Sequence, residues 1–447
     1  MTHLNSSDAR DNYAAPTVAL KTVGCRTNQE EIAALESRFR VEGYRIVASV
    51  EDADVIVINT CSVTAHTESK TRRMIRTTAR KAGKARLIIT GCLAQQHREA
   101  LCAEIHGVTV VGNAHKMLIP LLLRETPGVY VSELTPQTPV EVSEAIARDG
   151  PSGRRSRYSL KIQEGCDFSC SYCIVPRLRG PSRSSEEEIL VTKFGDAVRA
   201  GFREIILTGT HIGQYRGGCG LDGLLSRLLS TEGDYRIRLS SLDPRDITGN
   251  LLARVAEDER ICSHLHVSVQ SLCMNVIQSM NRGWNGFESV LEMLARFRRE
   301  YPFLALGGDF IVGFPGESED MFSETVRKTG SVGFTYGHVF RYSPRPQTPA
   351  AQMDGQIPES EKTRRSSELR GVLMEGRNRF AQRMIGKSVR IIVEKGREVV
   401  GKTSNYLSVT VPGERAGKGE WYETVIERYN EKSGICIGRK AVGNADG

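Results

Sequence analysis

The sequence predicts an α/β chain in three parts: an N-terminal parallel α/β domain, an open (β/α)6 barrel and a small C-terminal antiparallel β-barrel. Three observations predict it. From Val18 to Val131, short β-branched runs alternate with segments of helical period. Beyond a stretch rich in Pro, Ser, Thr and Arg, six further strand candidates recur with helices between them. After the helical segment Glu359 to Met384, the hydrophobic period changes to two.

Residues 1 to 16 are polar and belong to no element. The first domain, 17–131, takes its strands from Val18 to Val23, Val55 to Asn59, Leu87 to Thr90 and Val108 to Val111. Residues 132–157 have no sustained period and form a linker. The barrel, 158–383, takes its strands from Ser159 to Gln163, Glu204 to Thr208, Arg236 to Ser240, Leu265 to Val269, Leu304 to Val312 and Tyr336 to Arg341. In the third domain, 384–442, the runs Val389 to Glu394, Leu407 to Val411 and Glu423 to Glu427 alternate like half-buried antiparallel strands.

Composition narrows the function. The chain has 447 residues, 39% hydrophobic, which is material for two or three domains with ordinary cores. No apolar run approaches the roughly 20 residues that cross a bilayer, and no N-terminal signal is visible, so the expected location is the cytoplasm, with no membrane partner. Cytosolic thiols stay reduced, so clusters among the 11 cysteines point to metal or catalysis rather than disulfides. A net charge of +8, from 61 basic and 53 acidic residues, suits a polyanionic partner.

The strongest chemical signal is Cys166-Asp-Phe-Ser-Cys170-Ser-Tyr-Cys173, directly after the first barrel strand. Three thiolates on one short loop can hold three irons of a cubane cluster and leave the fourth open. S-adenosylmethionine can fill that position through its amino and carboxylate groups. Its sulfonium is then placed where one electron breaks a carbon–sulfur bond and releases a 5′-deoxyadenosyl radical. A zinc site is the alternative, with Cys219 or His211 as fourth ligand, although this spacing is not usual for zinc. With Glu164-Gly165 before it and Tyr172 beside the last cysteine, the motif resembles the radical S-adenosylmethionine superfamily.

A second set lies in the first domain. Cys25, Cys61 and Cys92 each fall just past the carboxyl end of a predicted strand, the edge at which open parallel sheets bind ligands. Gly24 and Gly91 beside them let backbone approach closely. The alternative is three separate buried cysteines, but their matched position favours a joint site. Cys102 is expected in the core, and Cys219, Cys262, Cys273 and Cys436 share no spacing.

The segments Thr22-Val-Gly-Cys25-Arg-Thr-Asn28-Gln-Glu30, Asn59-Thr-Cys61-Ser-Val-Thr64 and Thr90-Gly-Cys92 resemble the N-terminal domain of the methylthiotransferases. In the barrel, Lys161-Ile-Gln-Glu-Gly-Cys166, Leu207-Thr-Gly-Thr-His-Ile212, Ser240-Ser-Leu-Asp-Pro244, Ile311-Val-Gly-Phe-Pro-Gly-Glu317 and Tyr342-Ser-Pro-Arg-Pro346 extend the resemblance over nearly the whole chain after residue 17. The phrasing is most similar to the tRNA branch acting on N6-threonylcarbamoyladenosine.

This resemblance implies two [4Fe-4S] clusters, one on Cys166, Cys170 and Cys173 for radical initiation and an auxiliary one on Cys25, Cys61 and Cys92 that holds the sulfur. It implies a methylthio group installed at C2 of a modified adenosine at position 37, in the anticodon stem-loop of ANN-decoding tRNA. A second S-adenosylmethionine gives the methyl, and an electron donor and a sulfur source are required. The C2–H bond is not acidic, so a radical cofactor carries the hard step and no side chain is assigned as general acid or base. Sibling activities on N6-isopentenyladenosine or on a ribosomal-protein aspartate share these motifs. A non-catalytic iron-sulfur RNA-binding protein is the alternative of another class.

Because barrel active-site groups come from the carboxyl ends of strands, Gly209, Ser241, Gln270, Asp309 and Gly313 are the candidates for S-adenosylmethionine contact. The segment after Gln270, Ser-Leu-Cys273-Met-Asn275, departs from the Gln-Ser-Gly-Ser pattern of the family. The C-terminal domain resembles the TRAM domain, most of all at Gly401-Lys-Thr-Ser-Asn-Tyr-Leu407, and Lys387, Arg390, Lys402 and Tyr406 are its candidate RNA contacts. The basic segment Arg154-Arg-Ser-Arg157 and Arg177, Arg179 and Arg183 extend the expected path.

Overall fold

In this computed structural model, residues 15–142, 150–152 and 156–441 are described. Arg154, Arg155 and Val442 lie outside the described residues. The chain divides into two compact units. One takes in the residues up to Cys61 and Ser69–Ser132, the other Ser62–Glu68 and the residues from Glu133 on.

The first unit is built on six strands: β1 (Thr17–Thr22), β2 (Arg45–Val47), β3 (Val55–Thr60), β4 (Arg86–Gly91), β5 (Thr109–Val111) and β6 (Val129–Tyr130). They form one parallel sheet in the order β2-β1-β3-β4-β5-β6. The central strand β3 is buried along its whole length because alternate residues enter two cores. Ile56 and Ile58 pack with Leu93 and Leu101, and Val55 and Val57 with Leu35 and Phe39. The short edge strands β2 and β6 escaped the sequence pattern, since neither has an apolar run.

The second unit opens with β7 (Tyr158–Glu164), β8 (Arg183–Ser184), β9 (Glu204–Gly209), β10 (Arg236–Leu239), β11 (His264–Gln270), β12 (Ala305–Val312) and β13 (Tyr336–Arg341). β8 pairs antiparallel with β7 at one edge, and the other six strands follow one another in parallel as the two sheets β7-β9-β10 and β11-β12-β13. A bridge from Leu242 to Val267 links them, which makes the open (β/α)6 arrangement.

These strands depart from the uniform apolar runs of parallel sheets buried on both faces. Leu160, Ile162, Leu207, Leu239, Leu265, Val267 and Phe310 belong to the core shared with the helices. The alternate positions Lys161, Gln163, Thr208, Arg236, Arg238, His264, His266, Asp309, Tyr336 and His338 are polar and line the opposite, inner face.

After the helix Glu359–Arg383 come β14 (Ser388–Lys395), β15 (Val399–Thr403), β16 (Ser408–Val411), β17 (Trp421–Asn430) and β18 (Ile435–Lys440), closed into a barrel in the order β14-β15-β16-β18-β17. The sequence pattern missed β15 and β18, each interrupted by a glycine where backbones approach: a Cβ at Gly401 would meet the Ile392 carbonyl, and one at Gly438 the Thr424 hydroxyl. β16 and β18 pair in parallel, a departure from the antiparallel expectation at the closing seam. The barrel core takes in Phe380, Met384 and Ala305, so the helix and β12 share its packing.

A buried ion network fastens this barrel to the strands before it. Glu204 accepts from Arg236 Nε at 2.7 Å, Arg238 Nε at 2.7 Å and Arg157 Nη1 at 3.3 Å. The arginines use their remaining donors on the carbonyl oxygens of Lys402 (2.8 Å), Thr403 (3.0 Å) and Ser404 (3.0 Å). Burial opposes the charge on Glu204, but Arg238 and Arg236 hold its carboxyl well below the usual range. Among the described residues no helix is long and apolar enough to cross a membrane.

Candidate metal centres

The loop carrying Cys166, Cys170 and Cys173 is pinned on both sides. Gly165 turns out of β7 at φ +80°, and a Cβ there would overlap the Pro181 carbonyl. Cys166 N–H then donates to Gly180 O at 3.1 Å, and Asp167 Oδ1 accepts from Ser182 N–H at 2.8 Å. On the other side, Ser171 N–H donates to Met280 O at 3.0 Å and Asn281 Nδ2 to Ser169 O at 2.9 Å. Phe168 sits between the Arg245 guanidinium, 3.4 Å from its ring centre, and the His211 ring at 4.9 Å. Gly165→Ala should therefore disturb this loop alone, and iron analysis should find about four irons per chain instead of about eight.

Cations surround the thiols. Arg282 lies 3.7 Å from Cys170 Sγ and is anchored by Asp243 at 2.6 Å and by Ser268 O at 2.7 Å. His211 Nδ1 lies 3.7 Å from Cys166 Sγ, and its Nε2 donates to Asp246 at 2.7 Å. Burial pulls the His211 pKa down, but Asp246 and Cys166 outweigh it and raise it to about 9. Burial pushes the Cys173 thiol up to about 12, with Cys170 and Cys166 adding to the rise. Thiols so placed become thiolates when a metal binds them. The sequence pattern missed Arg282 altogether, Asp243 stands inside a quoted motif without an assigned role, and His211 enters only as a fourth ligand of the zinc alternative.

In the first unit the register pairs Thr22 with Asn59 and Thr60 with Gly91, so Cys25, Cys61 and Cys92 leave adjacent strands at one edge. A Cβ on Gly24 would collide with Cys61, whose Sγ is 3.0 Å from that position. Asn28 binds the edge together: its Nδ2 donates to Thr60 O at 2.8 Å and its Oδ1 lies 3.2 Å from Cys25 Sγ. Asn59 Nδ2 donates in turn to Asn28 O at 3.0 Å and to Glu31 at 3.1 Å, which is paired with the buried Lys116. Cys25 is exposed, and Cys61 and Cys92 are buried.

Each triad offers three thiols, a donor set that can hold three irons of a cubane cluster and leave the fourth open. Among the described residues, His266, Asp309 and His338 offer three ligand atoms that all lie within 4.8 Å of one another. Cys219 is exposed, and Cys102 is half-buried on the separate helix Arg98–Glu104. Cys262, Cys273 and Cys436 are buried.

The other nominated residues divide. Gly209, Gln270 and Gly313 stand at or just past the carboxyl ends of β9, β11 and β12, and exposed Ser241 follows β10. Gln270 holds a left-handed φ of +65°, and Gly313 N–H donates to Glu317 at 2.6 Å. Asp309 instead lies within β12, 3.1 Å from His266 Nε2. In the C-terminal barrel Lys387 and Arg390 are exposed, with Arg390 on Asp234 at 2.6 Å and over the Trp421 ring. Lys402 turns inward to Ser408 Oγ at 2.8 Å, and Tyr406 packs on His264 with ring centres 4.7 Å apart. Burial lowers the Lys402 pKa to about 8.

A pinned three-cysteine loop after the first strand of an open (β/α)6 barrel defines a radical S-adenosylmethionine enzyme, and the radical SAM superfamily matches residues 160–329. The uncharacterized protein family UPF0004 matches residues 17–112. The threonylcarbamoyladenosine tRNA methylthiotransferase MtaB of Aquifex aeolicus is 34% identical, over 89% of this chain and 97% of its own. The protein of that name from Thermotoga maritima is 32% identical over 94% and 96%. The tRNA-2-methylthio-N(6)-dimethylallyladenosine synthase of Novosphingobium aromaticivorans is 33% identical over 94% and 93%. Among solved structures, the radical S-adenosylmethionine methyltransferase TsrM from Kitasatospora setae shares the fold at TM-score 0.56 and 14% identity, over 76% of this chain and 77% of its own. The chain belongs to the radical S-adenosylmethionine methylthiotransferase family. S-adenosylmethionine and [4Fe-4S] clusters are the cofactors that this membership brings.

Proposed function

We propose that this enzyme installs a methylthio group at C2 of N6-threonylcarbamoyladenosine at position 37 of tRNA. The observation that carries the proposal is similarity along 97% of the length of a relative named for that substrate. ANN-decoding tRNAs are the expected set, recognised at the anticodon stem-loop in the cytoplasm, and the reaction requires an electron donor and a sulfur source.

Cys166, Cys170 and Cys173 hold the cluster that, when bound, supplies the electron for cleaving S-adenosylmethionine. Arg282 and His211 stand beside Cys170 and Cys166, each at 3.7 Å, and fix the loop against the barrel. Gly209, Ser241, Gln270 and Gly313 hold S-adenosylmethionine at the strand ends, and Asp309, the fifth candidate, lies within β12 beside His266. Cys25, Cys61 and Cys92 hold the sulfur-carrying cluster, and Asn28 keeps their edge in register. Residues 17–131, 158–383 and 384–442 divide sulfur delivery, radical chemistry and RNA recognition between them. Lys387 and Arg390 are the better-placed RNA contacts, since Lys402 and Tyr406 are engaged inside.

The dimethylallyladenosine synthase relatives support a second substrate at nearly equal identity. Reconstituted enzyme given equal amounts of tRNA carrying N6-threonylcarbamoyladenosine and tRNA carrying N6-isopentenyladenosine should methylthiolate only the first. Product on the second alone would reassign the substrate.

A further inference from the structure

The inner face of the barrel carries a second constellation that the cysteine chemistry does not use. His266 on β11, Asp309 on β12 and His338 on β13 alternate with the core residues Val267, Phe310 and Val339, so all three project from the same side of one three-stranded sheet. Register sets Asp309 directly beside His338. His266 Nε2 is 3.1 Å from Asp309 Oδ2, and the three ligand atoms all lie within 4.8 Å of one another.

We propose that His266, Asp309 and His338 bind a divalent first-row metal ion, distinct from both cysteine sites. Two imidazoles and one carboxylate form a mixed N/O set that suits ions such as Mn2+, Fe2+ or Zn2+, and three protein ligands leave further positions open. With metal–ligand bonds near 2.1 Å, neighbouring ligand atoms lie about 3.0 to 3.4 Å apart, the spacing His266 and Asp309 already have. His338 is exposed, so its ring can close the remaining gap at little packing cost.

The surroundings also provide for a ligand role of His266. Its other nitrogen, Nδ1, is 2.8 Å from Tyr336 Oη, which is itself 2.6 Å from His264 Nε2. If Nδ1–H donates to Tyr336 and Tyr336 O–H donates to His264, Nε2 of His266 is left with its lone pair toward Asp309. A metal-bound histidine is commonly oriented this way, through its second ring nitrogen.

The test uses the full chain with its clusters reconstituted and oxidised, free of tRNA, titrated with Mn2+. Electron paramagnetic resonance of the free ion should show one Mn2+ retained per chain, and spin-echo modulation should show nitrogen coupling from two imidazoles. His338→Gln, on an exposed side chain, should keep the melting temperature, lose one nitrogen coupling and weaken binding at least tenfold. Asp309→Asn should weaken it at least as much, and Tyr336→Phe by about 10- to 100-fold through the orientation of His266. The cysteine triple variants should retain the ion. Wild-type protein that retains no Mn2+, or ion binding unchanged in both His338→Gln and Asp309→Asn, would overturn the proposal.

Discussion

Replacing Cys25, Cys61 and Cys92 together by alanine should leave 5′-deoxyadenosine formation running under strong reductant while methylthiolated tRNA disappears. The opposite triple change, at Cys166, Cys170 and Cys173, should abolish both. Either variant should fall from about eight irons per chain to about four. The asymmetry follows from placement: the two triads stand on separate sheets, in separate compact units, each with its own core. Removing a cluster can loosen the unit that holds it, so a slower rate in the first variant is compatible with the assignment. Methylthiolated product from that variant at wild-type yield is not, and would leave the N-terminal cysteines as ordinary core.

Glu204→Gln should cost about 3–5 kcal/mol, because it strands arginines that are buried and paired in the folded chain. Arg238 has no exposure and Arg236 very little, and both carry their charge into the seam with the C-terminal barrel. Urea unfolding followed by Trp421 fluorescence would measure the loss, since Trp421 stacks under Arg236 and Arg390 at that seam. The double change Glu204→Gln with Arg238→Met should recover part of the loss. A drop below about 1 kcal/mol for the single change would mean that the network is solvated and carries little. The pH dependence has a definite sign. A carboxyl held below its ordinary 4.5 contributes fully above that pH and loses its contribution only as pH falls through the depressed value. The seam should therefore withstand mild acid.

The same network changes how RNA recognition is best tested. Cutting the chain after Met384 would remove the carbonyl oxygens of Lys402, Thr403 and Ser404 that Arg236 and Arg238 use, so weak tRNA binding would be mixed with unfolding. Substitution at exposed Lys387, which takes no part in that network, avoids that.

Much of this molecule was legible in its sequence because the relevant signals are local. The six barrel strands carry apolar residues at every second position, and Cys25, Cys61 and Cys92 each follow a strand within a few residues, which is enough to put three thiols at one sheet edge. What escaped depends on distant juxtaposition. Arg282 reaches Cys170 across 112 residues and stands in no motif. His266, Asp309 and His338 are unremarkable singly, and only strand register gathers them. Tyr406 lies in the most family-like segment of its domain, yet its left-handed φ of +68° turns the ring toward His264 and Tyr336, a reversal that composition does not announce.

The most direct test of the central claim is mass spectrometry of tRNA nucleosides from cells lacking this protein. The expected result is accumulation of N6-threonylcarbamoyladenosine and loss of its 2-methylthio derivative, restored by the intact chain and by neither cysteine triple variant. Persistence of that derivative, or loss of the methylthiolated isopentenyl nucleoside in its place, would contradict the assignment.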